Sequence, residues 1–202
     1  MALKIETANV WSRLQTGLGQ LDKTSRSTLN RATVTLGRRW PAQAKRDISS
    51  QFALKPSKIS KTLKAKVSGG SVSLTAFGRP QPLISFPARQ PKRGLGVIVQ
   101  IENGKPVLIA HAFIQVPVGA PQAGPMVFIR LSALGDLPDG VTAKLVKGNR
   151  TKHGYPIALL RGPTVADMLA AGDREDRLFD FAQKVLADEF DRLNIAEVLR
   201  GQ

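Results

Sequence analysis

Cysteine is absent from this 202-residue chain, and that single absence excludes disulfides, thiolate metal sites and cysteine nucleophiles together. It fits a reducing compartment. Aromatic residues are sparse, with two tryptophans, one tyrosine and eight phenylalanines, which leaves little surface on which single-stranded bases could stack. Histidine occurs twice, at His111 and His153, so a metal would have to lean on scattered carboxylates such as Glu102, Asp136 and Asp139. Long apolar runs are also missing. No stretch reaches the roughly 18 consecutive apolar residues of a membrane helix, and the opening MALKIETANVWSR has no charged leader followed by an apolar block. The expectation is a soluble protein made in the cytoplasm, without membrane contact.

Negative charge is the next scarcity. Thirty basic residues stand against fifteen acidic ones, for a net charge of +15. The excess is uneven: residues 1–66 carry +11, residues 67–162 carry +8 and residues 163–202 carry −4. A basic body of this kind is drawn to polyanions or to an acidic protein wall, and its acidic last segment can lie against its own basic helices or those of a neighbouring subunit.

What is present divides by period. Val10, Leu14, Leu18 and Leu21 are spaced for a first amphipathic helix, weakened by Gly17 and Gly19. A second helix, capped by Asp22 or Thr24, would carry Leu29, Leu36, Trp40, Ala44, Ile48 and Phe52 on one stripe, with Arg38, Arg39, Lys45 and Arg46 mostly outside it. Pro41 predicts a kink or a division into two helices there, set against the carbonyl of Gly37. In LKPSKISKTLKAKV, Pro56 suits a first helical turn and Ile59, Leu63 and Val67 line one face, leaving Lys55, Lys58, Lys61, Lys64 and Lys66 as a basic face.

From Ser71 the period becomes that of strands. SVSLTAF alternates, two apolar runs flank Asn103-Gly104 as a hairpin, and MVFIRL and YPIALL follow. Prolines cluster in GRPQPLISFPARQPKRG and VPVGAPQAGP, which read as extended arms or loops. Leu178, Ala182, Val185, Phe190 and Leu193 then share one face of a long closing helix. The fold class expected is α+β, a single domain over 1–202. It has a basic helical part (1–67), a mainly antiparallel sheet (about 71–161) within a β-rich part (68–162), and an acidic C-terminal helix (163–202).

Catalytic signatures are missing. The sequence has no glycine-rich phosphate loop ending in Lys-Ser or Lys-Thr, no paired-histidine zinc helix and no Gly-x-Ser-x-Gly elbow. RTKHGY offers His153, Tyr155 and two cations within six residues, a general-base cluster that a metal-independent ribonuclease could use. A His-Gly pair directly before a strand is more often a turn, and His111 in its apolar run reads as a core or interface residue.

Three blocks in order resemble the bacteriophage minor tail protein Z family of tail-completion proteins: RPQPLISFPARQPKRGLGVIV, HAFIQV followed by VFIRL, and YPIALLRGPTVADML. The resemblance covers roughly residues 20–170 and lies in block order, since no block is specific alone. The third block looks like a strand, a Gly-Pro turn and a short helix. Between the halves of the second block, PVGAPQAGP expands the usual short spacer.

The resemblance implies a structural virion protein at the head-proximal end of a long tail, acting in tail assembly and head-tail joining. It would sit beside the tail terminator and other neck or tail-tube proteins, as a homo-hexameric ring near the end of the packaged DNA. It implies no enzyme activity, cofactor or metal. The candidate contacts for DNA or a partner are Lys55, Lys58, Lys61, Lys64 and Lys66, with Arg89, Lys92 and Arg93 from the first block. A basic nucleic-acid-binding module and the small ribonuclease remain as alternatives.

Overall fold

The computed structural model describes the backbone of residues 2–6, 23–68, 71–92, 95–117, 120–150 and 156–200, and side chains at 27–68, 71–92, 95–117, 120–145 and 156–193. In chain order the elements are β1 (Ala2–Glu6), α1 (Lys23–Gln51), α2 (Pro56–Thr62), β2 (Leu63–Ser68), β3 (Ser71–Phe77), β4 (Ala88–Arg89), β5 (Gly96–Glu102), β6 (Lys105–Ala110), β7 (Ala112–Gln115), β8 (Met126–Arg130), β9 (Thr142–Arg150), β10 (Pro156–Arg161), α3 (Val165–Ala170) and α4 (Arg174–Arg200). The chain is α+β, as its two hydrophobic periods predict, and it divides into two compact units.

Residues 1–47, 60–78 and 169–202 form the first unit. Leu29, Ala32, Leu36, Trp40 and Ala44 recur at three- and four-residue spacings and are buried along one stripe of α1. The long C-terminal helix α4 packs against α1, burying Leu178, Ala182, Val185 and Leu186. Trp40 is fully buried, and its indole Nε1–H donates to the carbonyl of Leu178 at 2.9 Å. A buried tryptophan that finds a carbonyl contributes its apolar area without the cost of an unmet donor.

Pro41 does not divide α1 into two helices, because the helix is continuous from Lys23 to Gln51. An interior proline costs about 3 kcal/mol, and buried side chains on both sides of it, Leu36 and Trp40 before, Ala44 and Ile48 after, offset that cost. Thr24 lies inside α1 rather than capping it, whereas Asp22 and the first helix expected over 10–21 fall outside the described residues.

The basic helix expected through Val67 is shorter than its spacing suggests. It ends at Thr62, and Leu63–Ser68 is a strand paired antiparallel with β3, in a sheet ordered β1-β3-β2. The reason is arithmetic: residues four apart share a face in a helix and also in a strand, where every second residue returns to the same side. Strand alternation on β3 then decides the matter, with Val72, Leu74 and Ala76 buried beside Leu63. At Gly37 of α1 the sheet approaches closely, since a Cβ there would lie 2.6 Å from Cγ2 of Val67.

The second unit comprises residues 48–59 and 79–168. Its strands are antiparallel as expected but belong to two further sheets, β4-β5-β6 and β7-β8-β10-β9, so the molecule has three small sheets where the sequence suggested one. Phe128, Ile157 and Leu159 form a cluster with Phe113 and Met126 against it. The Phe113 and Phe128 rings sit 6.2 Å apart at a tilt, within the range for favourable aromatic pairs.

One proline-rich segment is not an arm. Gln81, Leu83, Ser85 and Phe86 are buried, Leu83–Ser85 turns as a 3-10 helix, and β4 follows. Prolines lack a donor, but the carbonyls beside them still need partners. Gly162 N donates to Gln81 O at 2.7 Å, and Gln100 N donates to Pro87 O at 2.9 Å. Gly162 has no room for a side chain, because a Cβ would lie 2.7 Å from Cε2 of Phe86. From there the chain runs through Pro163 into α3. Thr164 Oγ1 accepts from Asp167 N at 2.9 Å, and Asp167 Oδ2 accepts from Thr164 N at 3.0 Å, a reciprocal cap. The strand, turn and short helix read from YPIALLRGPTVADML are thus present as architecture.

Candidate functional site

The candidate lysines are not carried by one helix. Lys55, Lys58, Lys61, Lys64 and Lys66 are all exposed. Lys55 and Lys58 belong to the second unit, while Lys61, Lys64 and Lys66 belong to the first. Lys64 and Lys66 alternate with Leu63 and Ala65 along β2, so they point from the sheet surface opposite the buried one. The Lys64 ammonium lies 5.6 Å over the Phe77 ring, a cation–π arrangement. Arg89 on β4 and Lys92 are exposed, and Arg93 lies outside the described residues. His153 and Tyr155, the centre of the ribonuclease reading, also lie outside them.

His111 is exposed rather than in the core, and it holds φ at +59°, a conformation uncommon for a residue with a side chain. It closes the β6 strand, where its N–H donates to Leu95 O at 3.3 Å. That bond fixes the hydrogen-bonding phase of the β5–β6 ladder. Partners run Val97↔Ile109 and Val99↔Val107, so Ile109 and Val107 turn their backbone groups inward to β5. Pro106, Leu108 and Ala110 turn theirs outward, and β6 is the edge of its sheet. Pro106 fits the rule that a strand proline sits where no ladder donor is needed.

Along this edge runs a groove of about 500 Å³, walled by Val107 to His111 on one side and by Ala133 and Gly135 to Pro138 on the other. Leu108 is 51% exposed and Val107 39%. An open strand edge with outward amide and carbonyl groups and two exposed apolar side chains can pair with an extended segment of another chain.

The second unsatisfied surface is on α1. Leu29, Leu36 and Trp40 define its buried stripe, and Arg31, Arg38 and Lys45 lie on the opposite side by the 100° step per residue, with Arg46 on the same flank as Arg39. Arg31, Arg38 and Arg46 are exposed and Lys45 is half-buried. Among the described residues none of the four has an ion pair. The helix's one acidic residue, Asp47, accepts from Gln43 Nε2 at 2.9 Å. Arg39, on the flank, does find a carboxylate: Glu189 of α4 lies 3.7 Å away and also binds Arg192 at 2.7 Å. The sequence places Arg38, Arg39, Lys45 and Arg46 mostly outside the apolar stripe, while the contact role expected there falls to the lysines that follow, and Arg31 is not singled out.

No group of three histidine, aspartate or glutamate side chains among the described residues is arranged to hold a metal ion. No helix among them is long and apolar enough to cross a membrane. In comparisons with protein-family models, curated proteins and solved structures, the chain matches none.

Proposed function

We propose that the chain is a structural virion protein of the minor tail, or tail-completion, type. It acts at the head-proximal end of a phage tail, in tail assembly and head-tail joining. Copies close into a homo-hexameric ring that meets the tail terminator and neighbouring neck or tail-tube proteins. The block order of residues 79–169 supports the tail assignment. The observation that carries the assembly role is the open β6 edge, where Leu108 and Val107 are exposed beside a groove of about 500 Å³.

Ring closure requires a heterologous interface, in which one patch of a subunit meets a different patch of the next. An open strand edge meets that requirement on one side. On the other, the exposed Pro121–Ala123 turn, between β7 and β8, is a segment that can reach outward. A protein working in this way needs no catalytic centre; its chemistry is the burial of apolar side chains and the pairing of edge amides.

Light scattering and negative-stain microscopy of the purified protein, alone and mixed with tail tubes, test the reading. Rings, and rings seated on tube ends, are the expected result, and Leu108→Lys should abolish both while leaving the fold intact. A wild-type protein that stays monomeric and ignores tube ends at high micromolar concentration would overturn it.

A further inference from the structure

We infer that the outward face of α1 is a binding surface for the phosphate backbone of duplex DNA. The inference does not depend on the ring reading above. It starts from a row of cations: Arg31, Arg38 and Lys45 are seven residues apart, so each stands nearly in line with the last, about 10.5 Å further along the axis, and the row spans about 21 Å. Arg46 widens the row at one end. Arg31, Arg38 and Lys45 lie opposite the stripe that fixes α1 in its unit and Arg46 lies on its flank, so all four are displayed by a rigid element rather than by a loop. None is neutralised by an ion pair within the described residues, although Arg39 one step round the helix is. Among the described residues a carboxylate meets α1 where α4 packs, at Arg39, and none pairs with these four.

Charge complementarity identifies the partner. Duplex DNA presents about one negative charge per 1.7 Å of its axis, so a straight cationic row of this length finds phosphates at any register. A single strand would need aromatic platforms for its bases, and the side chains beside the row are Val34, Thr35 and Ala42, while Trp40 faces the core. An acidic protein would need a buried apolar or aromatic anchor at the centre of its interface, and Val34 with the single methyl of Ala42 does not make one. The contact should therefore be independent of base sequence and strongly dependent on salt, because its free energy comes from released counterions.

The test is fluorescence anisotropy with a labelled 20-base-pair duplex, measured from low to physiological salt. Two variants lose the same four charges: Arg31→Gln/Arg38→Gln/Lys45→Gln/Arg46→Gln on α1, and Lys55→Gln/Lys58→Gln/Lys61→Gln/Lys64→Gln outside it. The α1 variant should bind at least about tenfold more weakly at 0.1 M salt, with a slope of log Kd against log salt shallower by about 3, since each phosphate contact contributes about 0.9. The lysine variant should keep both affinity and slope. Arg31→Gln/Arg38→Gln alone should give about half the change in slope, which keeps the test decisive if the fourfold variant fails to fold. Equal losses in the two fourfold variants would reduce the effect to net charge and overturn the assignment. So would an unchanged α1 variant, or a wild type that prefers a single strand or polyglutamate to the duplex. Each of those failures would leave ring formation, read by microscopy, untouched.

Discussion

The first unit leaves an aligned row of charge on one helix uncompensated, and the second leaves backbone and apolar side chains uncompensated. In the first, the helices α1 and α4 bury their apolar stripes thoroughly, and what remains open is a cationic row on α1. In the second, thirteen basic residues against four acidic ones are spread over several strands and loops rather than aligned, while β6 offers outward amides with Leu108 and Val107 exposed beside them. The difference teaches where to look for partners. A well-packed helix whose outer face is all of one sign selects for charge, whereas an open sheet edge selects for an extended chain. One molecule can thus address a polyanion and another protein through separate units.

The comparison breaks most severely at Trp40. Trp40→Ala removes a fully buried side chain and leaves Leu178 O without its 2.9 Å donor, for an expected loss of about 4 kcal/mol. Hydrogen exchange read by mass spectrometry should show increased exchange chiefly in residues 27–47, 60–68 and 169–193, if the two units are separately cooperative. Equal increases across 79–168 would mean that they melt together and that the division has no energetic content. Trp40→Phe, which keeps most of the area, should cost much less.

Gly162→Val makes the matching break in the second unit. The new side chain would drive into Phe86, which is buried and has Leu83 behind it, so overpacking of about 2 kcal/mol is expected. Urea denaturation followed by circular dichroism checks the magnitude. Exchange should now rise in residues 79–92 and 156–168 rather than in α4. Wild-type stability would show that Phe86 can swing aside, and that the close approach at Gly162 does not hold the segment in place.

The contrast between the units also explains what was legible in the sequence. The stripe of α1 and the face of α4 could be read because a 3.6-residue period over many turns has no competing explanation. Residues 56–68 could not, because Ile59, Leu63 and Val67 fit both periods, and only pairing with β3 makes Leu63–Ser68 a strand. The number of sheets depends on which strands find one another, which periodicity does not encode. Burial of Leu83 and Phe86 was masked by the prolines around them, since proline marks where a ladder is absent without saying whether the segment is packed. At the candidate surfaces, Pro106 inside an apolar run was the available sign of an edge strand. The spacing of Arg31, Arg38 and Lys45 was the available sign of a cationic row. Neither could be weighed until the opposite face of each element was known to be buried or paired.

Asn103 supplies the smallest and sharpest test, because its role differs from the one its sequence suggests. Asn103-Gly104 is a hairpin turn between β5 and β6, with Gly104 at φ +77°, as the dipeptide predicts. Yet the Asn103 amide also reaches the end of α1: Nδ2 donates to Ser49 O at 2.9 Å and to Ser50 O at 3.0 Å, and the backbone N donates to Gln51 O at 2.7 Å. The last carbonyls of a helix have no partners within it and carry the negative end of its dipole. Asn103→Asp keeps the shape and the turn propensity but replaces the donor by a carboxylate facing those carbonyls. The expected cost is about 1 kcal/mol, from lost hydrogen bonds and the unfavourable charge at the helix C-terminus. Because the carboxylate is the offending species, part of that loss should return as pH falls toward about 4, the ordinary range of an aspartate, whereas Asn103→Ala should show no such recovery. A variant as stable as the wild type at neutral pH would reduce Asn103 to an ordinary turn residue, and the backbone bonds of Asn103 N to Gln51 O and of Ala53 N to Ile101 O would then suffice to hold the β5–β6 hairpin at the end of α1.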